Sequence, residues 1–275
     1  MADDRPLEDQ VQHRSEDGVA WITLDRPEVG NALTPDQRDR VIALLAEASG
    51  DLATRAVVLT ATGKAFCTGA DLRAPRDAPA RPEGAPDRAV GDVSRTIRDG
   101  AQRLVAAVLD CEVPVIAAVN GTAAGIGAHL AFACDLVLAA DSARFIEVFV
   151  RRGIVPDGGG AYLLPRLVGP QRAKELMFLG DSLPAADAER MGLVNRVVPA
   201  DELARVAGEW AGRLAAGPTR SLALTKWLVN RSLESDRAGA FADEALAQEL
   251  AMHSADAQEG IAAFVERRDP TYQGW

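Results

Sequence analysis

The sequence predicts an α/β protein, and three observations lead to it. Apolar strand-like runs alternate with helical patterns over roughly the first two hundred of the 275 residues, the pattern of strands and helices packed in layers. Two of those runs end in glycine-bearing turns that lead towards a helix: Ala65-Phe66-Cys67-Thr68-Gly69-Ala70-Asp71, and Val119-Asn120-Gly121-Thr122-Ala123-Ala124-Gly125-Ile126-Gly127-Ala128-His129. From Asp201 onward the strand signals stop and amphipathic helices take over.

Taken in order, Val19 to Leu24 reads as a strand, and Thr34-Pro35 starts a helix by supplying a cap and a first-turn proline. Ala56 to Thr60 is a strand leading into the first glycine turn. Val113 to Val119 is another, leading through the second turn into a helix from about Gly125 to Cys134. Asp135–Ala140 and Ala143–Ile146 add strands, and helices are expected at Val206–Leu214, Ser221–Ser232, Ala238–Met252 and Asp256–Arg267. Ala74 to Asp92, rich in proline, shows neither period; it reads either as a loop over a site or as a surface insertion.

A hydrophobic content of 48% suffices for one large domain or a domain with an appendage. The net charge of −10 argues against a nucleic-acid partner. No apolar run is long enough to span a bilayer, and the opening Met-Ala-Asp-Asp-Arg-Pro is too charged for a signal peptide, so a cytoplasmic protein is expected. Cys67, Cys111 and Cys134 read as reduced core residues, and three scattered histidines give no metal site.

The two glycine turns have a chemical reading. Backbone N–H groups aimed from a tight turn or a helix N-terminus hold a negative oxygen, and glycine lets the main chain come close. These turns, with Thr23-Leu24-Asp25-Arg26-Pro27, Asn31-Ala32-Leu33, Gly192-Leu193-Val194-Asn195 and Phe264-Val265-Glu266-Arg267-Arg268, resemble the crotonase superfamily, the enoyl-CoA hydratase/isomerase family, along nearly the whole chain. The resemblance implies a right-handed superhelix of ββα units in residues 1–200 and a C-terminal helical region, 201–275, that forms trimers, often paired into hexamers. It implies that the N–H groups of Ala70 and Ile126 hold the thioester oxygen of an acyl-CoA, and that coenzyme A enters as part of the substrate with no other cofactor.

By the same resemblance, Arg26, Glu28 and Val29 with Lys64, Ala65 and Phe66 line the coenzyme. Phosphate contacts would come from Lys64, Arg73 or, across a subunit boundary, Lys226, Arg267 and Arg268.

Family hydratases hold water between two glutamates; here His129 and Phe149 occupy those positions, beside Gly125 in the acyl pocket. Syn addition of water needs one group to activate it and one to handle a proton. His129 is either such a base or a locally bonded structural residue. Glu147 is a reserve acid expected to face solvent. Asp157, in Ile154-Val155-Pro156-Asp157-Gly158-Gly159-Gly160, is favoured as the catalytic acid over a helix cap. This stretch resembles the ring-epoxide isomerase branch. The expectation is therefore an enoyl-CoA isomerase with Asp157 carrying the proton. The alternatives are a hydratase using His129, a hydrolase or dehalogenase, and an inactive thioester binder.

Overall fold

The computed structural model describes residues 5–73, 82–86 and 89–275. A short helix α1 (Leu7–Gln10) leads into the hairpin β1 (Val11–Glu16) and β2 (Val19–Leu24). Helix α2 (Pro35–Gly50) starts at a complete capping box: Gln37 N–H donates to Thr34 Oγ1, and Thr34 N–H donates to Gln37 Oε1. Strands β3 (Ala56–Ala61) and β4 (Ala65–Cys67) come next, then α3 (Asp92–Ile97), which runs through a π-helical turn into α4 (Arg103–Leu109).

The pattern of two strands and a helix then repeats. Strands β5 (Val115–Val119) and β6 (Thr122–Ala124) precede α5 (Ile126–Ala133), and β7 (Leu136–Ala140) and β8 (Arg144–Ile146) precede α6 (Gly160–Leu179), which is kinked at Gly169. Strand β9 (Ser182–Pro184), α7 (Ala185–Arg190) and β10 (Arg196–Val198) close the strand-bearing part. Helices α8 (Leu203–Ala215), α9 (Thr219–Ser232), α10 (Arg237–Met252) and α11 (Ala255–Glu266) follow.

The β1–β2 hairpin lies wholly in one sheet, and from β3 onward each ββα unit gives one strand to each of two sheets. The larger sheet has the order β1-β2-β3-β5-β7-β10, the smaller β4-β6-β8-β9. Both are mixed: β1/β2 and β8/β9 are antiparallel and every other pairing is parallel. This is the crotonase architecture that the resemblance implies.

Parallel strands covered on both faces must be apolar throughout. Accordingly all five residues of β5 are buried, as are Ala56, Val57, Val58 and Leu59 of β3. Helix α5 is apolar around its whole circumference apart from His129, and all eight of its residues are buried. The first C-terminal helix, α8, packs on β3, β5 and β7 through Val206, Ala207 and Ala211 and completes the core. By contrast, Phe241, Leu250, Ile261, Phe264 and Val265 on α10 and α11 are exposed.

The three cysteines are free and buried, as expected; burial pushes the Cys67 thiol up to about 12, far from a working nucleophile. Most of the Ala74–Asp92 segment lies outside the described residues. No helix among those described is long and apolar enough to cross a membrane.

Candidate active site

The two glycine turns leave the ends of adjacent parallel strands, β4 and β6, and so arrive side by side. A β-carbon built on Gly69 would stand 3.2 Å from Ala124 O and 3.9 Å from Ile126 N. Gly69 has φ +108°, a conformation that side chains rarely adopt, so glycine is required on both counts. The first turn is pinned from behind. Leu33 N–H donates to Gly69 O at 2.8 Å, Asp71 N–H donates to Leu33 O at 2.9 Å, and Thr68 N–H donates to Gly30 O at 3.0 Å. Because amides alternate sides along an extended chain, the intervening Ala70 N–H is directed away from Leu33. Ala70 is exposed, and Ile126 is the first residue of α5, where an N–H has no partner within its helix.

The coenzyme-lining segments also meet. A β-carbon on Gly63 would touch Pro27 Cβ at 2.5 Å, and Asn31 Nδ2 donates to Thr62 O and Ala65 O at 2.9 and 2.7 Å. Arg26 itself faces inward: its Nη1 reaches Asp71 Oδ2 at 3.3 Å in a buried ion pair directly after Ala70. Burial alone would raise the Asp71 carboxyl, but the Arg73 amide and Arg26, with the charges of Arg26 and Arg73, hold it below the usual range.

Lys64 is exposed beside these segments, as is Glu28, and Phe66 is fully buried. Lys226, expected near a phosphate, is instead buried, with Nζ donating to Asp135 Oδ2 at 2.8 Å and to Val108 O at 2.9 Å. Arg268 is tied to Glu259 and Glu266, and Arg267 ends α11 in a left-handed conformation, φ +56°.

His129 lies one turn into α5 from Ile126 and is wholly buried. Its Nε2 is 3.1 and 3.0 Å from the two carboxylate oxygens of Glu147, its ring stacks on Phe149 with centroids 5.2 Å apart, and its Nδ1 is buried without a hydrogen-bond partner. This corrects the expectation for Glu147, which does not face solvent. The signal was present: Ala143, Phe145, Glu147 and Phe149 are buried while their neighbours are more exposed, a period of two that carries on beyond β8. Gly125 lies against Phe149 Cζ, 3.6 Å from where its β-carbon would be.

The Asp157–Gly160 turn rides over this pair. A β-carbon on Gly160 would run into the His129 ring, and one on Gly158 would run into Ile126 and come 3.2 Å from His129 Nδ1. Asp157 is not a cap. The N-cap of α6 is Gly159, with no side chain bonded there. The half-buried carboxyl of Asp157 is raised by burial, an effect that nearby His129 opposes whenever its ring is protonated.

Residues 14–274 match the family model described as "Enoyl-CoA hydratase/isomerase". The chain belongs to the enoyl-CoA hydratase/isomerase family. Coenzyme A is part of the substrate in this family and no separate cofactor is needed. Among its relatives, a "Probable enoyl-CoA hydratase" of Rhodobacter capsulatus is 39% identical over 96% of this chain and 98% of its own. The 1,2-epoxyphenylacetyl-CoA isomerase of Escherichia coli is 38% identical over 94% and 96%. The crystal structure of an enoyl-CoA hydratase/isomerase from Cupriavidus metallidurans superposes with a TM-score of 0.87, at 35% identity and 97% coverage of both chains. Hydratase names predominate among relatives at similar identity, which favours the hydratase alternative over the isomerase expectation.

Proposed function

We propose that this acyl-CoA enzyme hydrates a 2-enoyl-CoA, with His129 as the base and Asp157 as the acid. The observation that carries this reading is the unpartnered, buried Nδ1 of His129, whose other nitrogen is held by Glu147. A single histidine at a hydratase glutamate position is weak support for a base; one backed by a buried carboxylate is much stronger. The thioester oxygen is held by the Ala70 and Ile126 N–H groups. Water adds to C3 as Nδ1 takes its proton, and the resulting enolate takes a proton at C2 from Asp157, whose raised carboxyl keeps one more readily than an exposed acid. The two side chains then exchange a proton through solvent to recover their starting states.

A second reading is isomerisation of a 3-enoyl-CoA by Asp157 alone, removing a proton at C2 and returning it at C4. It is favoured by the same raised carboxyl and by the similarity to 1,2-epoxyphenylacetyl-CoA isomerase. Lys64 and Arg73, both exposed beside the Arg26–Val29 segment, are assigned to the coenzyme phosphates, and the exposed apolar faces of α10 and α11 to a homotrimer or hexamer of a cytoplasmic enzyme.

The experiment follows absorbance of the conjugated thioester with trans-2-enoyl-CoA and trans-3-enoyl-CoA for wild type, H129Q and D157N. Loss of the 2-enoyl signal that both substitutions abolish supports hydration. A rise with the 3-enoyl substrate that only D157N abolishes selects isomerisation instead.

A further inference from the structure

Glu147 stands at neither hydratase glutamate position, yet it is 4% exposed and both its oxygens converge on one atom, His129 Nε2. An ionised carboxylate can only accept hydrogen bonds, so its approach to 3.0 Å requires the hydrogen to sit on Nε2. In the neutral ring Nδ1 then carries the lone pair, on the ring edge beneath the Asp157–Gly158 turn. Phe149 stacks nearly flat on the imidazole, with 15° between the ring planes, and opposes rotation of the ring.

We propose that Glu147 is a positioning residue: it locks His129 in the Nε2–H tautomer and thereby aims a basic Nδ1 at the water that adds to the substrate. The effect on turnover rests on the hydratase reading above; the tautomer itself does not. In that reaction the proton leaving water goes to Nδ1 as the new carbon–oxygen bond forms at C3. The positive charge gained by the ring is stabilised by Glu147, which keeps its own charge throughout. The Glu147–His129 pair thus supplies together what one glutamate supplies in hydratases that carry it at position 129.

The test is nitrogen NMR of the intact enzyme labelled with ¹⁵N-histidine. The chain has three histidines, and His13 and His253 are exposed, so the buried one is assigned by its loss in H129Q. In wild type at neutral pH, His129 is expected to show a protonated Nε2 and a bare Nδ1. In E147Q, whose amide can donate to Nε2, the tautomer is expected to reverse, with hydration kcat falling by roughly 10²–10⁴-fold and KM little changed. E147D is expected to restore the tautomer and part of the rate.

A wild-type His129 protonated on Nδ1 at neutral pH, alone or together with Nε2, overturns the proposal, as does an E147Q enzyme with tautomer and kcat intact. The expected tautomer in an enzyme inert towards 2-enoyl-CoA supports the lock and removes only the hydratase reading.

Discussion

Gly160 and His129 compete for one space: any side chain at position 160 would enter the volume of the imidazole. The ring is buried and stacked, so it can give way only by leaving Glu147. G160A is therefore expected to cost about 1–3 kcal/mol of stability, the usual range for overpacking, and to lower kcat further than its stability loss accounts for. Urea denaturation midpoints and initial rates on one preparation check both parts.

Replacing Asp157 separates stability from activity. Burial raises its carboxyl above the ordinary value of 3.8, so between that value and the raised one the native state holds a proton that the unfolded chain has released. Stability from this group is complete below that window and is lost as pH rises through it. D157N is expected to flatten this dependence, to leave the melting temperature at pH 7 equal or higher, and to reduce turnover by roughly 10²–10⁴-fold. Melting curves from pH 3.5 to 7 read the sign.

The Arg26–Asp71 pair holds the turn that presents the Ala70 amide. Removing one member of a buried pair strands the other charge, at a cost of about 3–5 kcal/mol. R26M and D71L should each approach that cost, while the double variant R26M/D71L should lose less than their sum. A double-mutant cycle from chemical denaturation tests it.

Lys226 gives a prediction opposite in kind to the one its sequence suggested. Burial raises the Asp135 carboxyl and the Lys226 charge opposes that rise, so K226M should destabilise the fold by roughly 3 kcal/mol. KM for an acyl-CoA should stay within error of wild type. A KM raised several-fold would return Lys226 to the coenzyme.

Phe264 is 84% exposed and Val265 74%, next to Ile261 on the same helix. Apolar side chains grouped in this way are expected to be covered by another copy of the chain. Sedimentation should give the mass of a trimer or hexamer for wild type and a smaller species for F264D.

Much of this was legible in the sequence, for identifiable reasons. Strands β3, β5 and β7 announced themselves because a parallel strand buried on both faces is apolar at every position, and Thr34-Pro35 marked a helix start by its chemistry. Of the five three-residue strands among the described residues, β8 was found within the run Ala143–Ile146, while β4, β6, β9 and β10 were lost because so few residues seldom establish a period. Helices α3 and α4 fell next to a segment whose composition gave no pattern. Asp157 could be singled out from its constrained turn, whereas Glu147 was misjudged because the alternation it belongs to continues past the end of its strand. Nothing in Lys226 could have disclosed Asp135, ninety-one residues away, since pairing at that range is set by the fold.

Helix α5 carries the Ile126 amide and His129, and every residue of it is buried; a β-carbon on Gly127 would strike the carbonyl of Cys67 in β4. A site mounted there has no hinge of its own and cannot loosen ahead of its surroundings. Heat or urea should therefore inactivate this enzyme along the same curve that unfolds it, which makes residual turnover a direct measure of how much of the population is still folded.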